Sequence, residues 1–174
     1  MNRRTLFFAL AVAVQLLILA AIPAQKIYTR NVGRSVMLKI RPVDPYSMLR
    51  GYYVTLNYEI ADPGAFTVKP DDVYSGNNLY AILEKRDDGV WHPVSLTESL
   101  PYDLPETRIA IRGRYNYRGI EYGIEEFYIP EGKRREIEET LWANRDRARV
   151  EVKVDSKGNA ALVRLLIGDR VYDY

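Results

Sequence analysis

The sequence predicts an α+β protein of mainly antiparallel β structure: a single N-terminal transmembrane helix, then a β-rich domain with one amphipathic helix near 133–144. Three observations predict it. The first is an uninterrupted apolar run between Thr5 and Ile22. The second is period-2 alternation recurring over much of the chain beyond residue 34, the mark of strands with one buried face. The third is a Lys-, Arg- and Glu-rich stretch over 133–144, where Ile137 and Leu141, four residues apart, make a narrow apolar stripe.

Of the 18 residues from Thr5 to Ile22, 16 are apolar, Thr5 and Gln15 being the exceptions. As a helix the run is about 27 Å long at about 1.5 Å per residue, close to a bilayer core of about 30 Å. Arg3 and Arg4 precede it and Pro23 closes it. A cleavable signal has a shorter apolar core and a small-x-small site. The best such site here follows Ala24 and puts Ile22 at its outer position. The run therefore reads as a retained anchor, with the lipid bilayer as partner from Thr5 to Ile22. Arg3 and Arg4 favour a cytoplasmic N-terminus under the positive-inside bias, although Lys26, Arg30 and Arg34 follow closely on the other flank. This places the remainder of the chain outside the cytoplasm. The domains are then 1–23 as anchor, 24–34 as juxtamembrane linker and 35–174 as extracytoplasmic β-rich domain.

Within that domain, Val36, Leu38 and Ile40 alternate with Met37, Lys39 and Arg41. Val54, Leu56, Tyr58 and Ile60 repeat the pattern in phase with Tyr52. Leu79, Ala81 and Leu83 form the next strand, and the turn Asp87-Asp88-Gly89 returns the chain through Val90-Trp91 as a hairpin. Ile109 and Ile111 begin a run reaching Tyr115 and Tyr117, punctuated by Asn116 and Gly119. Ile120, Tyr122, Ile124, Glu126 and Tyr128 share one phase and predict one following strand. Pro130-Glu131-Gly132 breaks it before the helix. Val150, Val152 and Val154, a turn over 155–159, the run from Ala161 to Ile167 and a turn at Gly168-Asp169 complete the domain.

The chain has 174 residues, 47% of them apolar and 28% charged, with a formal net charge of +2. That is too apolar and too balanced for a disordered chain, and it lacks the basic excess of a dedicated nucleic-acid binder. The excess of +2 comes from Arg3 and Arg4, which leaves the residues beyond 23 formally neutral. Cysteine is absent, which excludes disulfides, thiol nucleophiles, thiolate metal sites and a Cys-linked lipid anchor. With one histidine, His92, no two-histidine site exists. His92 beside Trp91 reads as structural. The pairs Asp71-Asp72 and Asp87-Asp88 read as turn residues. No phosphate loop or nucleophile elbow is present, no catalytic set assembles, and no cofactor or metal is expected. Fourteen tyrosines against four phenylalanines suit half-buried sheet positions, and they equally suit contact surfaces.

The stretch Gly51-Tyr52-Tyr53-Val54-Thr55-Leu56-Asn57-Tyr58 resembles the signature of the GDYXXLXY family of membrane-anchored bacterial proteins. Gly51, Tyr53, Leu56 and Tyr58 fill four of the five defined positions, while Tyr52 stands where the family has Asp. Tyr52 falls in phase with Val54 and Leu56, so an aromatic there extends an apolar strand face. Any chemistry that carboxylate carries in relatives is therefore absent here, which favours a structural or binding role at this position. A second similar region covers Tyr122, Gly123, Glu125, Phe127, Tyr128, Pro130, Glu131 and Gly132. The resemblance spans nearly the whole chain. It implies single-pass attachment to the bacterial inner membrane and an accessory role beside a polytopic membrane protein, with no established biochemical activity.

Two other readings compete. Membrane-anchored signal peptidases pair a Ser-Met nucleophile region with a lysine base, and this chain has Ser47-Met48 and Lys85. Gly51 follows Ser47 too closely for that pattern, and a catalytic lysine needs desolvation, whereas Lys85 adjoins a charged turn. The tyrosines also suit a glycan- or peptide-binding domain, which requires an exposed, tyrosine-lined groove. Of the motif residues, Tyr53 and Tyr58 are the candidate functional aromatics for the accessory reading, with core packing the more ordinary role for each alone.

Overall fold

Helix α1 runs from Arg3 to Val32, well past the proline expected to end it. The computed structural model describes residues 2–41, 49–50, 53–70, 74–129 and 131–174. Proline has no N–H to give the preceding turn, so it weakens a helix interior. Here packing of the next two turns against the β domain compensates. Thr29 is fully buried there, and residues 24–32, expected within a linker, are helical. Helix α1 is long and apolar enough to cross a membrane, and its most apolar window is not buried by the rest of the chain. Leu6, Phe7, Phe8, Leu16, Leu17, Ile18 and Leu19 are each more than half exposed.

The strands form three antiparallel sheets around one core. The first orders β1 (Arg34–Lys39), β9 (Ala148–Val154), β10 (Ala160–Ile167) and β11 (Arg170–Asp173) as β1-β9-β10-β11. The second orders β5 (Trp91–Thr97), β4 (Asn78–Lys85), β6 (Arg108–Asn116) and β7 (Gly119–Glu121) as β5-β4-β6-β7. The third is small, β2 (Leu49–Arg50), β3 (Tyr53–Thr55) and β8 (Glu126–Tyr128), with β3 central. Helix α2 (Arg134–Ala143) buries Ile137 and Leu141, the two residues of its predicted stripe. The result is the expected α+β architecture dominated by antiparallel strands.

Alternation predicts the buried faces because successive strand residues point to opposite sides. Val36, Leu38 and Ile40 are buried, as are Val150, Val152 and Val154. Both predicted hairpins form, β4–β5 and β9–β10. In the first, Gly89 takes a φ of +75° and the Asp88 carboxylate accepts the Val90 N–H at 2.9 Å.

The run through 53–60 keeps its phase, with Val54, Leu56, Tyr58 and Ile60 all buried, yet its ladder ends at Thr55. Beyond it the chain changes partners. The Leu56 N–H donates to the Glu125 carbonyl at 2.7 Å, and Tyr58 bridges Ile40 at the end of β1. This stretch thus joins the third sheet to the first. The Arg112 N–H, donating to the Gly158 carbonyl at 2.8 Å, joins the second sheet to the β9–β10 turn.

The single strand expected over 120–128 is two strands in different sheets. Ile120, Tyr122 and Ile124 are buried as predicted, but Phe127 and Ile129 then replace Glu126 and Tyr128 on the buried side. A turn causes the slip. Gly123 adopts a φ of +70°, open to glycine at little cost, and the Glu125 carboxylate accepts the Tyr122 N–H at 2.5 Å. One residue of offset exchanges the faces of everything that follows.

Candidate functional site

The two family-like regions meet in the third sheet. Tyr53 lies opposite Tyr128 and Val54 opposite Phe127 in the β3–β8 register. The rings of Tyr53 and Tyr128 are 6.0 Å apart and tilted, a favourable aromatic arrangement. Below this pair the contacts become buried. The Tyr58 hydroxyl donates to the Ile124 carbonyl at 2.5 Å, and the Tyr122 hydroxyl donates to the Ile60 carbonyl at 2.6 Å. Burial, with Glu125 nearby, pushes both phenols well above the ordinary tyrosine range. They remain neutral donors at physiological pH.

The end of α1 completes the site. Lys26, Thr29 and Arg30 share one helical face. The Lys26 ammonium donates to the carbonyls of Gly123 and Ala160, both at 2.8 Å. Burial pulls its pKa below the usual lysine value, and Glu125 opposes the shift. The Thr29 hydroxyl donates to the Asp155 carboxylate at 2.8 Å. Arg30 donates twice to the Tyr174 carbonyl at 3.2 Å. Tyr174 is held in turn by its N–H on the Val163 carbonyl, where β10 bulges between Leu162 and Arg164. Its ring lies 5.5 Å from Phe127 and 6.4 Å from Tyr128.

Between helix and sheet lies a cleft of about 680 Å³. Pro23, Ile27, Ala161 and Leu162 give it an apolar wall, Tyr128 and Tyr174 an aromatic rim, and Glu121, Glu125 and Glu126 a set of carboxylates. Lys26 and Arg30 also line it, but their N–H groups are engaged by backbone carbonyls. Its size suits a small ligand or a short chain segment. Its lining combines apolar and aromatic surface with carboxylate and basic groups. Among the described residues, no cluster of His, Asp and Glu could hold a metal ion.

The expected site residues divide into three groups. Leu56, Tyr58, Tyr122 and Phe127 are buried and hold the two regions together. Tyr53, Gly123, Glu125 and Tyr128 lie at or beside the cleft, Tyr53 through its contact with Tyr128. Glu131 and Gly132 fall in a 3₁₀ turn leading into α2. Gly51, Tyr52 and Pro130 lie outside the described residues, as do Ser47, Met48, Asp71 and Asp72. Lys85 is exposed at the end of β4, and His92 contacts Asp88 at 3.0 Å beside its hairpin turn. Of the two motif tyrosines singled out, Tyr58 is a buried tie and Tyr53 faces partly outward.

Sequence reasoning missed Lys26, Thr29, Arg30, Asp155 and Tyr174. A signal existed for three of them: polar residues at helical spacing directly after an apolar run. Asp155 and Tyr174 offered none, since their roles depend on which strand lies beside the helix.

A family model described as the GDYXXLXY protein matches residues 15–165. No curated protein and no solved structure matches the chain.

Proposed function

The chain belongs to the GDYXXLXY family, and on that basis we propose that it is a single-pass protein of the bacterial inner membrane whose extracytoplasmic β-rich domain serves as an accessory, interaction module for an integral membrane partner. The observation that carries this reading is the construction of the cleft. One wall is the last two turns of α1, directly beyond the apolar run, and the other is the second family-like region. A surface built there presents itself to whatever emerges from the bilayer next to α1. The exposed apolar residues of α1 support the anchor, since lipid would cover them. Arg3 and Arg4 support a cytoplasmic N-terminus.

The test is site-specific photocrosslinking in intact membranes, with the photoreactive residue at Tyr128 or Tyr174 and at Tyr102 as an exposed control away from the cleft. The expected result is one reproducible adduct with a polytopic membrane protein from the first two positions and none from Tyr102. Equal labelling from all three positions, or none from any, overturns the reading. A topology reporter fused after Tyr174 checks the orientation, and a cytoplasmic signal refutes it.

A further inference from the structure

A second cleft, of about 240 Å³, lies where α1 faces β6. Arg112 and Arg114 sit two apart on β6, and both are exposed, so they project from the same face of the strand. Neither guanidinium has an ion-pair or side-chain hydrogen-bond partner among the described residues. Gln25 and Lys26 of α1 line the cleft with them, and Asn78 stands opposite Arg114 in the β4–β6 register. Glu121, opposite Arg114 across β6 and β7, also lines it. Asp155, behind Thr29, is engaged by that hydroxyl and by its own turn. The lining therefore holds three cations against one carboxylate among the described residues, with amide groups beside them.

The depth of this cleft is given by α1. Lys26 is four residues beyond Ile22, about 6 Å along a helix rising about 1.5 Å per residue. The polar layer of a bilayer extends about 5–7 Å beyond its hydrocarbon core on each side. We propose that this cleft binds the phosphate headgroup of an anionic phospholipid in the leaflet from which α1 emerges, and so holds the β domain against the membrane in one orientation. The two guanidiniums supply planar, multiple N–H donors of the kind that suit phosphate oxygens. The Lys26 ammonium, which donates to the Gly123 and Ala160 carbonyls, stands beside them as a third positive charge. The volume admits a headgroup, and the acyl chains would lie along the apolar run of α1.

The proposal rests on α1 being a membrane anchor, so the experiment reads the two separately. Full-length protein, wild type and the double variant Arg112→Gln/Arg114→Gln, is tested first for resistance to alkaline carbonate extraction from membranes. It is then purified in detergent and incubated with equal amounts of phosphatidylglycerol and phosphatidylcholine, and the retained lipid is counted by native mass spectrometry. Arg86→Gln, in the β4–β5 turn away from the cleft, is the control. Wild type and control are expected to prefer phosphatidylglycerol, and each lost guanidinium to reduce the preference about fivefold, the usual worth of one basic residue near an anionic surface. Carbonate resistance and melting temperature should not change in the double variant. A chain released by carbonate overturns the anchor. A chain that stays in the membrane but retains both lipids equally, or whose preference survives the double substitution, overturns the headgroup site alone. Inorganic phosphate raising the melting temperature as much as phosphatidylglycerol assigns the cleft to a soluble anion and overturns the lipid.

Discussion

Tyr58 and Tyr122 are tied to each other's segments reciprocally: each hydroxyl donates to the carbonyl two residues beyond the other tyrosine. Tyr58 reaches Ile124 at 2.5 Å and Tyr122 reaches Ile60 at 2.6 Å. Both rings are buried, so no water stands ready to replace either bond. The final tyrosine of the family motif is thereby explained as a structural tie, and the second family-like region as its counterpart.

Tyr58→Phe and Tyr122→Phe each leave one buried carbonyl without its donor. Each is expected to lower stability by about 1–3 kcal/mol. The double variant should cost less than the two together, because losing one bond loosens the segment that holds the other. Both phenols have folded-state pKa values raised by burial, so the neutral form is the one that favours folding. Their contribution is full below the unfolded tyrosine pKa of about 10 and is lost as pH rises above it. Denaturant titrations of the full chain should show a steep alkaline loss in wild type and a shallower one in the Phe variants. An unchanged alkaline limb contradicts the assignment.

Asp155 fastens the β9–β10 turn to α1. Burial alone would raise its pKa, but hydrogen bonds from Asn159, Thr29 and the backbone N–H groups of Lys157 and Asn159 outweigh it and leave the carboxyl below its usual range. A depressed carboxyl stabilises the fold above the unfolded pKa of about 4 and loses that contribution as pH falls through the folded value. Asp155→Asn should therefore destabilise the protein by about 1–3 kcal/mol at neutral pH. It should also flatten the acid limb of the stability profile. Part of the slope will persist through Glu151, whose carboxyl is likewise lowered: burial opposes the shift, and hydrogen bonds from Ser35 and Arg164 produce it. Thr29→Val, which keeps the volume and removes the hydroxyl, should speed tryptic cleavage after Lys26 and Arg30. Equal cleavage rates would refute the tie between helix and turn.

Gly113 packs against the tie from the other side. A Cβ there would overlap Ile120 Cγ2 and lie 2.8 Å from Tyr122 Cε1. Gly113→Ala should cost about 1–3 kcal/mol through this overpacking. Because the clash displaces Tyr122, adding Tyr122→Phe to Gly113→Ala should cost less than Tyr122→Phe alone. Urea denaturation of the four proteins in this cycle checks it, and strict additivity would show that the ring does not move.

Local pattern carried a good deal of this fold. The apolar run marked α1, alternation marked the buried faces of β1, β4 and β9, and Ile137 and Leu141 marked the buried side of α2. The phase of 54–60 put Tyr58 inside, as found. The same reasoning failed at Tyr128, because a turn at Gly123 shifts the phase and no periodicity reports a one-residue slip. It also stopped α1 at Pro23, because the packing that offsets one missing hydrogen bond comes from β9 and β10, more than a hundred residues away.

The sequence by itself determined the apolar helix, the β-rich domain, the turns of its two main hairpins and membership of a family defined by spaced aromatic residues. All of these follow from interactions among near neighbours. Tertiary structure alone decided that Tyr58 meets Ile124, that Lys26 caps Gly123, and that Tyr128 borders a cleft instead of the core. Those outcomes join residues 60 or more positions apart, and they depend on which buried faces close on one another once the chain has collapsed.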